Sequence, residues 1–260
     1  MNIREEKLSE FKHISQHRLD PEGILVFFFG SIFLCSIFML PIVAGLIRFG
    51  WDYYEEPFER IVVVMELILY VIQLVFLLFY LFTKNCYKFQ KLQTLVLLLY
   101  AFQTATIMFT MYVLPGIVNY TTNLSTIKYI GYLLLGAIIV HLIYTRETFT
   151  KVEKGGYDLD GDMSYSFPSK IKIWTLLASI VYVIFLFVLI IIYNDYHLDI
   201  YFGMFVGTVV MYSIAIGAAV FQLLAYCRFK FPSFNISWEQ RKRELERYRK
   251  NKLKKKKRTS

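Results

Sequence analysis

An all-α bundle of six transmembrane helices is the fold this sequence predicts, with the N-terminus and the C-terminus both cytoplasmic. Composition, six apolar runs of spanning length and a one-sided distribution of basic residues predict it. The 260 residues are 57% hydrophobic and 18% aromatic, with a mean hydropathy of +0.47. A water-soluble domain of this size has no interior large enough to hide that much apolar surface. The runs cover residues 24–48, 61–82, 93–118, 127–145, 171–193 and 199–226. At roughly 1.5 Å of rise per residue each can cross about 30 Å of hydrocarbon. They must be helices, because a helix satisfies its own backbone amides where no water is present.

Orientation follows from Lys and Arg, which collect on the cytoplasmic side of a membrane protein. Arg4, Lys7, Lys12 and Arg18 precede the first span, and Lys84, Lys88 and Lys91 lie between the second and third. Arg146, Lys151, Lys154, Lys170 and Lys172 lie between the fourth and fifth, and fourteen more follow the sixth. Only Arg48, Arg60 and Lys128 fall on the other side. The net charge of +9 therefore belongs to a tail and not to the fold. The expected organisation is a cytoplasmic amphipathic segment (1–23), the six-helix domain (24–226) and a basic helical tail (227–260). The polar N-terminal segment lacks a cleavage pattern, so the first span is expected to act as an uncleaved anchor. Abundant Ile, Lys, Phe and Tyr point to an AT-rich bacterial genome, and so to a bacterial cell membrane.

Taken in order, the elements differ in what they expose. The N-terminal segment places Leu8, Phe11 and Ile14 on one side of an interfacial helix, with His13 and His17 one turn apart; two imidazoles without a third ligand make no metal site. The second span carries Glu66, Tyr70, Gln73 and Tyr80 within roughly an 80° arc, at 100° per residue. Polar groups in lipid turn towards protein, so this face is expected to be buried. The third span repeats the pattern with Gln93, Tyr100, Gln103 and Thr110, and the fifth with Thr175, Ser179, Tyr182 and Tyr193. Equal depth in their spans would let Gln73 and Gln103 pair. The sixth span offers Gly203, Gly207 and Gly217 on a face for close helix packing. Pro41 and Pro115 mark kinks or helix ends. Three spans per half would permit an inverted repeat, but no matching polar positions or broken helices reveal one.

Glu66 is the only acidic residue away from the end of a span, Asp199 standing at the first position of the sixth. It heads the candidate intramembrane polar site of Glu66, Tyr70, Gln73, Gln103 and Tyr182. His141 reads as a structural histidine towards the cytoplasmic side of its span. Asp158, Asp160 and Asp162 resemble a calcium loop, but the glycine is misplaced and Ser169 stands where the closing glutamate belongs. Asn119 and Asn123 head glycosylation sequons that a bacterial protein would not use. Cys35, Cys86 and Cys227 have no disulfide or metal spacing. In the tail, Ser237 and Gln240 form a capping box. Lys252, Lys254, Lys255, Lys256, Lys257 and Arg258 follow as an anionic-lipid or partner-binding run.

These patterns exclude more than they identify. The chain has no GxSxG, HExxH, P-loop or paired intramembrane aspartates, so neither an enzyme nor a resident cofactor is expected. The reading that remains is a non-enzymatic bacterial multi-pass membrane protein acting through protein–protein contacts, such as a secretion-system accessory or a toxin immunity protein. Its expected partners are the lipid bilayer, anionic head groups at the tail and an unidentified membrane protein; nucleic acid is not expected. The first alternative is a transporter or channel subunit with a polar path along the second, third and fifth spans. The second is a ribosome-linked insertion factor acting through the tail.

Overall fold

The structure, a computed structural model, describes residues 3–17, 19–115, 124–154, 170–193, 198–243 and 246–247. Its helices are α1 (Ser9–His17), α2 (Pro21–Phe49), α3 (Pro57–Tyr80), α4 (Thr83–Lys88), α5 (Gln90–Val113), α6 (Leu124–Glu153), α7 (Lys170–Tyr193) and α8 (Leu198–Lys230). Six of them, α2, α3, α5, α6, α7 and α8, are long and apolar enough to cross a membrane. The chain has the architecture of an all-α, multi-pass membrane protein.

Local chemistry sets the helix limits. Asp20 caps α2 by accepting the Gly23 N–H at 2.7 Å, and Pro21 supplies the first-turn geometry. Gly50 ends the helix at a φ of +72°, a left-handed conformation that a side chain would strain. Pro41 lies inside α2, which continues past it, whereas Pro115 follows the end of α5 at Val113. Pro57 opens α3, with the Glu56 N–H donating to Glu59 Oε2 at 3.4 Å. The chain then breaks at Leu81–Phe82 to form α4, so the second span ends earlier than hydropathy indicates. The third begins earlier too, at Gln90. The fourth span extends as α6 to Glu153, well past the apolar run. Packing supports the extension: Val152 is fully buried, and the Lys7 ammonium donates to the Glu153 carbonyl.

Tyr182–Tyr132 and Tyr144–Lys172 bonds run α6 and α7 antiparallel. Pro21–Gln93 and Phe28–Tyr100 contacts run α2 and α5 parallel. His141–Ala215 and Thr145–Gln222 do the same for α6 and α8. The most extensive helix interface joins α5 to α8, which run in opposite directions, Tyr112 meeting Gly203 and Phe109 meeting Gly207. Each half is thus three helices in which the first (α2 or α6) packs on the other two, the second (α3 or α7) forms an edge, and the third (α5 or α8) joins the halves. The two halves share this order of packing and run in opposite directions. Residue patterns did not reveal it, because what recurs is the order of packing and not the residue types. Mid-helix tyrosines on the edge helices do recur: Tyr70 pairs with Ser36 of α2 at 2.6 Å, and Tyr182 donates to the Tyr132 carbonyl of α6 at 2.9 Å.

Candidate functional site

A polar cluster lies between α2, α3 and α5. Three turns of α3 supply Glu66, Tyr70 and Gln73, α5 supplies Tyr100, Gln103 and Thr104, and α2 supplies Cys35 and Ser36. Glu66 is 7% exposed, Gln73 0%, Gln103 3% and Thr104 7%. The Gln103 amide donates from Nε2 to Glu66 Oε2 at 3.1 Å. The Tyr100 hydroxyl donates to the Gln73 backbone carbonyl. Gln73 Nε2 and Oε1, Gln103 Oε1 and Thr104 Oγ1 are buried without a hydrogen-bond partner. Of these, Gln73 and Thr104 meet the Cys35 thiol, a weak hydrogen-bonding partner.

Helix register explains why Gln103 meets Glu66 and not Gln73. The expected Gln73–Gln103 pair assumed that both amides stood equally far from the helix ends. With α3 ending at Tyr80 and α5 starting at Gln90, Gln73 is two turns from its end and Gln103 between three and four from its start. Gln103 therefore lies about two turns further along, level with Glu66. The same register brings His141 to the level of Glu66, on the other side of α5. Its ring packs edge-on against Phe102 at 5.3 Å, while Nδ1 donates to the Ala215 carbonyl at 2.8 Å. Nε2 is buried and makes no hydrogen bond among the described residues.

The remaining candidates separate. Tyr182 belongs to the other half, between α6 and α7, so the polar faces of the second and third spans converge without that of the fifth. Tyr193 on α7 is exposed. Of the three glycines, Gly203 and Gly207 meet Tyr112 and Phe109 closely, but a Cβ on Gly217 would meet nothing within 4 Å. Gly217 is not a packing glycine, because its neighbours Ala215, Ala218 and Ala219 make the contacts at that level. Gly136 of α6, which the sequence pattern did not single out, is also tightly packed, wedged against both Tyr182 and Tyr212.

A second polar assembly occupies the end of the bundle where α1, α4 and residues 231–241 lie. Arg228, 1% exposed, donates to the Leu19 carbonyl at 2.9 Å and to the Gln90 carbonyl at 3.4 Å. Gln90 pairs twice with Ile236, donating at 2.5 Å and accepting at 3.2 Å. Glu22 accepts from Tyr87 at 3.0 Å and from Arg241 at 3.1 Å, and Asp20 lies 3.7 Å from the same guanidinium. Burial works against the Arg241 charge, but the bond to Glu22 and the nearby carboxylates hold its pKa above the ordinary value. Burial, then the Glu22 charge, raise Tyr87 above the usual phenol range. Leu8, just before α1, and Phe11 of α1 pack here on protein, Phe11 lying 6.2 Å from Phe234. Ser237 and Gln240 exchange both capping-box bonds, at 3.0 and 3.1 Å. An open recess of about 730 Å³ remains, lined by Lys12, Gln16, Asp20, Tyr87, Gln240 and Arg241 among others. Lys252, Lys254, Lys255, Lys256, Lys257 and Arg258, the 158–162 acidic loop and the Asn119 and Asn123 sequons lie outside the described residues.

Among the described residues, no group of three or more His, Cys, Asp or Glu side chains is placed to hold a metal ion. All three cysteines are free and buried. Fold and polar sites together define a six-helix multi-pass membrane protein with a buried carboxylate–amide cluster and a compact layer at one end. Compared with protein families, curated proteins and solved structures, the chain matches none.

Proposed function

We propose that this is a non-enzymatic membrane protein that acts by binding another protein in or at the bacterial cell membrane, in the manner of a secretion-system accessory or a toxin immunity protein. The observation that carries the reading is the layer in which the N-terminal segment, α4 and residues 231–241 lock together. Arg228, Gln90 and the Glu22–Arg241 pair fasten the base of the tail to the bundle. A tail serving only as a topology signal needs no such fastening. Here the fastened segment borders a polar recess lined by Lys12, Gln16, Gln240 and Arg241, which is open to a partner. The basic-residue distribution supports a cytoplasmic position for this layer. The lysines at 252 and 254–257 also favour anionic head groups, each worth about 1 kcal/mol near such a surface. Photocrosslinkers at Gln16 and Gln240 test the proposal in cells. A single recurrent protein adduct, weakened by Arg241→Glu, is the expected result, and adducts confined to lipid and to the chain itself would end it.

Transport is the second reading, favoured by the inverted arrangement of the halves, which places a joint at the α5–α8 interface. A polar path would then involve the second and third spans, together with the first. Reconstituted vesicles that show no solute flux, or a flux indifferent to Glu66→Gln, dispose of its cation-coupled form.

A further inference from the structure

We infer that the groove between α6 and α7 holds one phospholipid with a net-negative head group, its phosphate at Lys128 and an acyl chain lying along the two helices. The site depends on neither reading of function above.

The groove, of about 190 Å³, opens at the end of the bundle away from α1, α4 and residues 231–241. Its polarity changes with depth. Ser125 and Lys128 of α6 and Tyr193 of α7 stand at the mouth, Leu189 and Ile190 follow, and Tyr132 and Leu186 lie deeper. Leu186 and Ile190 are buried and form the floor, while Tyr132 and Tyr193 are exposed on the rims. The inner end closes where the Tyr182 ring lies against Gly136 and the Tyr182 hydroxyl donates to the Tyr132 carbonyl at 2.9 Å. From Tyr182 to Tyr193 the helix rises about 16 Å, the depth of one leaflet of a bilayer. A charged mouth and an apolar floor, in that order over one leaflet, match a phospholipid lying along the membrane normal. A partner helix, roughly 10 Å across, is too broad for a slot between two helices that touch at Gly136; an acyl chain is not.

Charge selects the head group. Lys128 is exposed, one turn inside the start of α6, and among the described residues it forms no ion pair. The other two basic residues at this end are engaged: Arg60 donates to the Tyr54 carbonyl at 2.7 Å, and Arg48 lies over the Phe49 ring at 5.1 Å. A lysine stem runs along apolar surface while its ammonium reaches head-group level, where tyrosines also favour their hydroxyls. That ammonium is the one charge on the described lining of the groove. A zwitterionic head group, whose own ammonium competes for its phosphate, gains less from it than an anionic one.

The full chain, purified in detergent, is irradiated with phosphatidylglycerol carrying a diazirine in one acyl chain, and the adducts are mapped by peptide mass spectrometry. The expected result is saturable capture of one lipid per chain, concentrated in residues 125–132 and 186–193. Unlabelled phosphatidylglycerol displaces it, and phosphatidylcholine does so about fivefold less readily. Lys128→Ala weakens capture about fivefold and Lys128→Arg restores it. Leu189→Trp, which narrows the groove from a partly buried position, removes the labelling at unchanged Tm. Labelling spread evenly over the exposed faces of α3 and α7, and indifferent to the Lys128 variants, is contact with bulk lipid only and overturns the site. A recurrent protein adduct from a photocrosslinker at Tyr193 in native membranes gives the groove to a partner chain and overturns it equally.

Discussion

Arg228 shows how one side chain can tie distant segments of the chain together. Its guanidinium reaches the carbonyls of Leu19, before α2, and Gln90, at the start of α5, while Asn235 donates to its own carbonyl at 2.9 Å. Replacing it by Met removes two charge-assisted bonds and strips the Leu19 and Gln90 carbonyls of their side-chain donor. The loss should be about 2–4 kcal/mol, read as a lower midpoint in detergent unfolding. Limited proteolysis should then cut the segment after residue 230 first. Cys86 yields a pH prediction. Burial, with the Glu22 charge secondary, lifts its thiol from 9.0 to about 11, and it donates to the Tyr80 carbonyl at 3.0 Å. The folded state thus prefers the neutral thiol. Its contribution to stability is complete below pH 9 and declines as pH rises from 9 towards about 11. Maleimide at pH 7.5 should leave Cys86 unmodified until the protein is denatured, as mass spectrometry would show; prompt labelling of the folded chain would contradict its burial.

At the scale of elements, the small residues on α6 and α8 separate true packing contacts from coincidences of spacing. A Cβ on Gly136 would run into the Tyr212 hydroxyl and, at 2.6 Å, the Tyr182 ring, whose positions are set by two different helices. Gly136→Ala should cost about 1–3 kcal/mol by overpacking. Gly217→Ala, with open space around its Cβ, should be neutral or slightly stabilising. Thermal unfolding of the two variants side by side checks the contrast. The polar faces of α3 and α5 were legible from spacing alone, since Glu66, Gln73, Gln93 and Gln103 are the strongly polar residues of those spans and each is buried. Their pairing was not legible. It depends on where α3 stops and α5 starts, and the short α4 between them shifts that register by about two turns relative to an uninterrupted hairpin.

For the whole molecule, the orientation of the bundle is the testable consequence of its charge. Reporter fusions after residue 243 and in the 50–56 connection should give opposite sidedness, the former cytoplasmic. A C-terminus reported outside would reverse the entire arrangement. Truncation after residue 243 should leave the fold intact, because the fastening bonds of Arg228, Gln90 and Arg241 all lie before that point. The same truncation should abolish the salt-sensitive part of binding to anionic vesicles. Equal vesicle binding by the full and truncated chains would show that the basic run contributes nothing there.

The sequence by itself determined that six helices exist, which of their faces are polar and where the basic charge accumulates, because hydrocarbon imposes length, helicity and polarity on each span separately. Glu66 stood out for the same reason: a carboxylate is costly at that depth whatever surrounds it. Only the tertiary structure decided that Gln103 and not Gln73 reaches Glu66, that Tyr182 lies in the other half, that Gly136 and not Gly217 is tightly packed, and that α1 packs on protein. Each of these depends on the axial register and order of neighbouring helices. Those are set by many side chains at once across long sequence separations, where no local spacing records them.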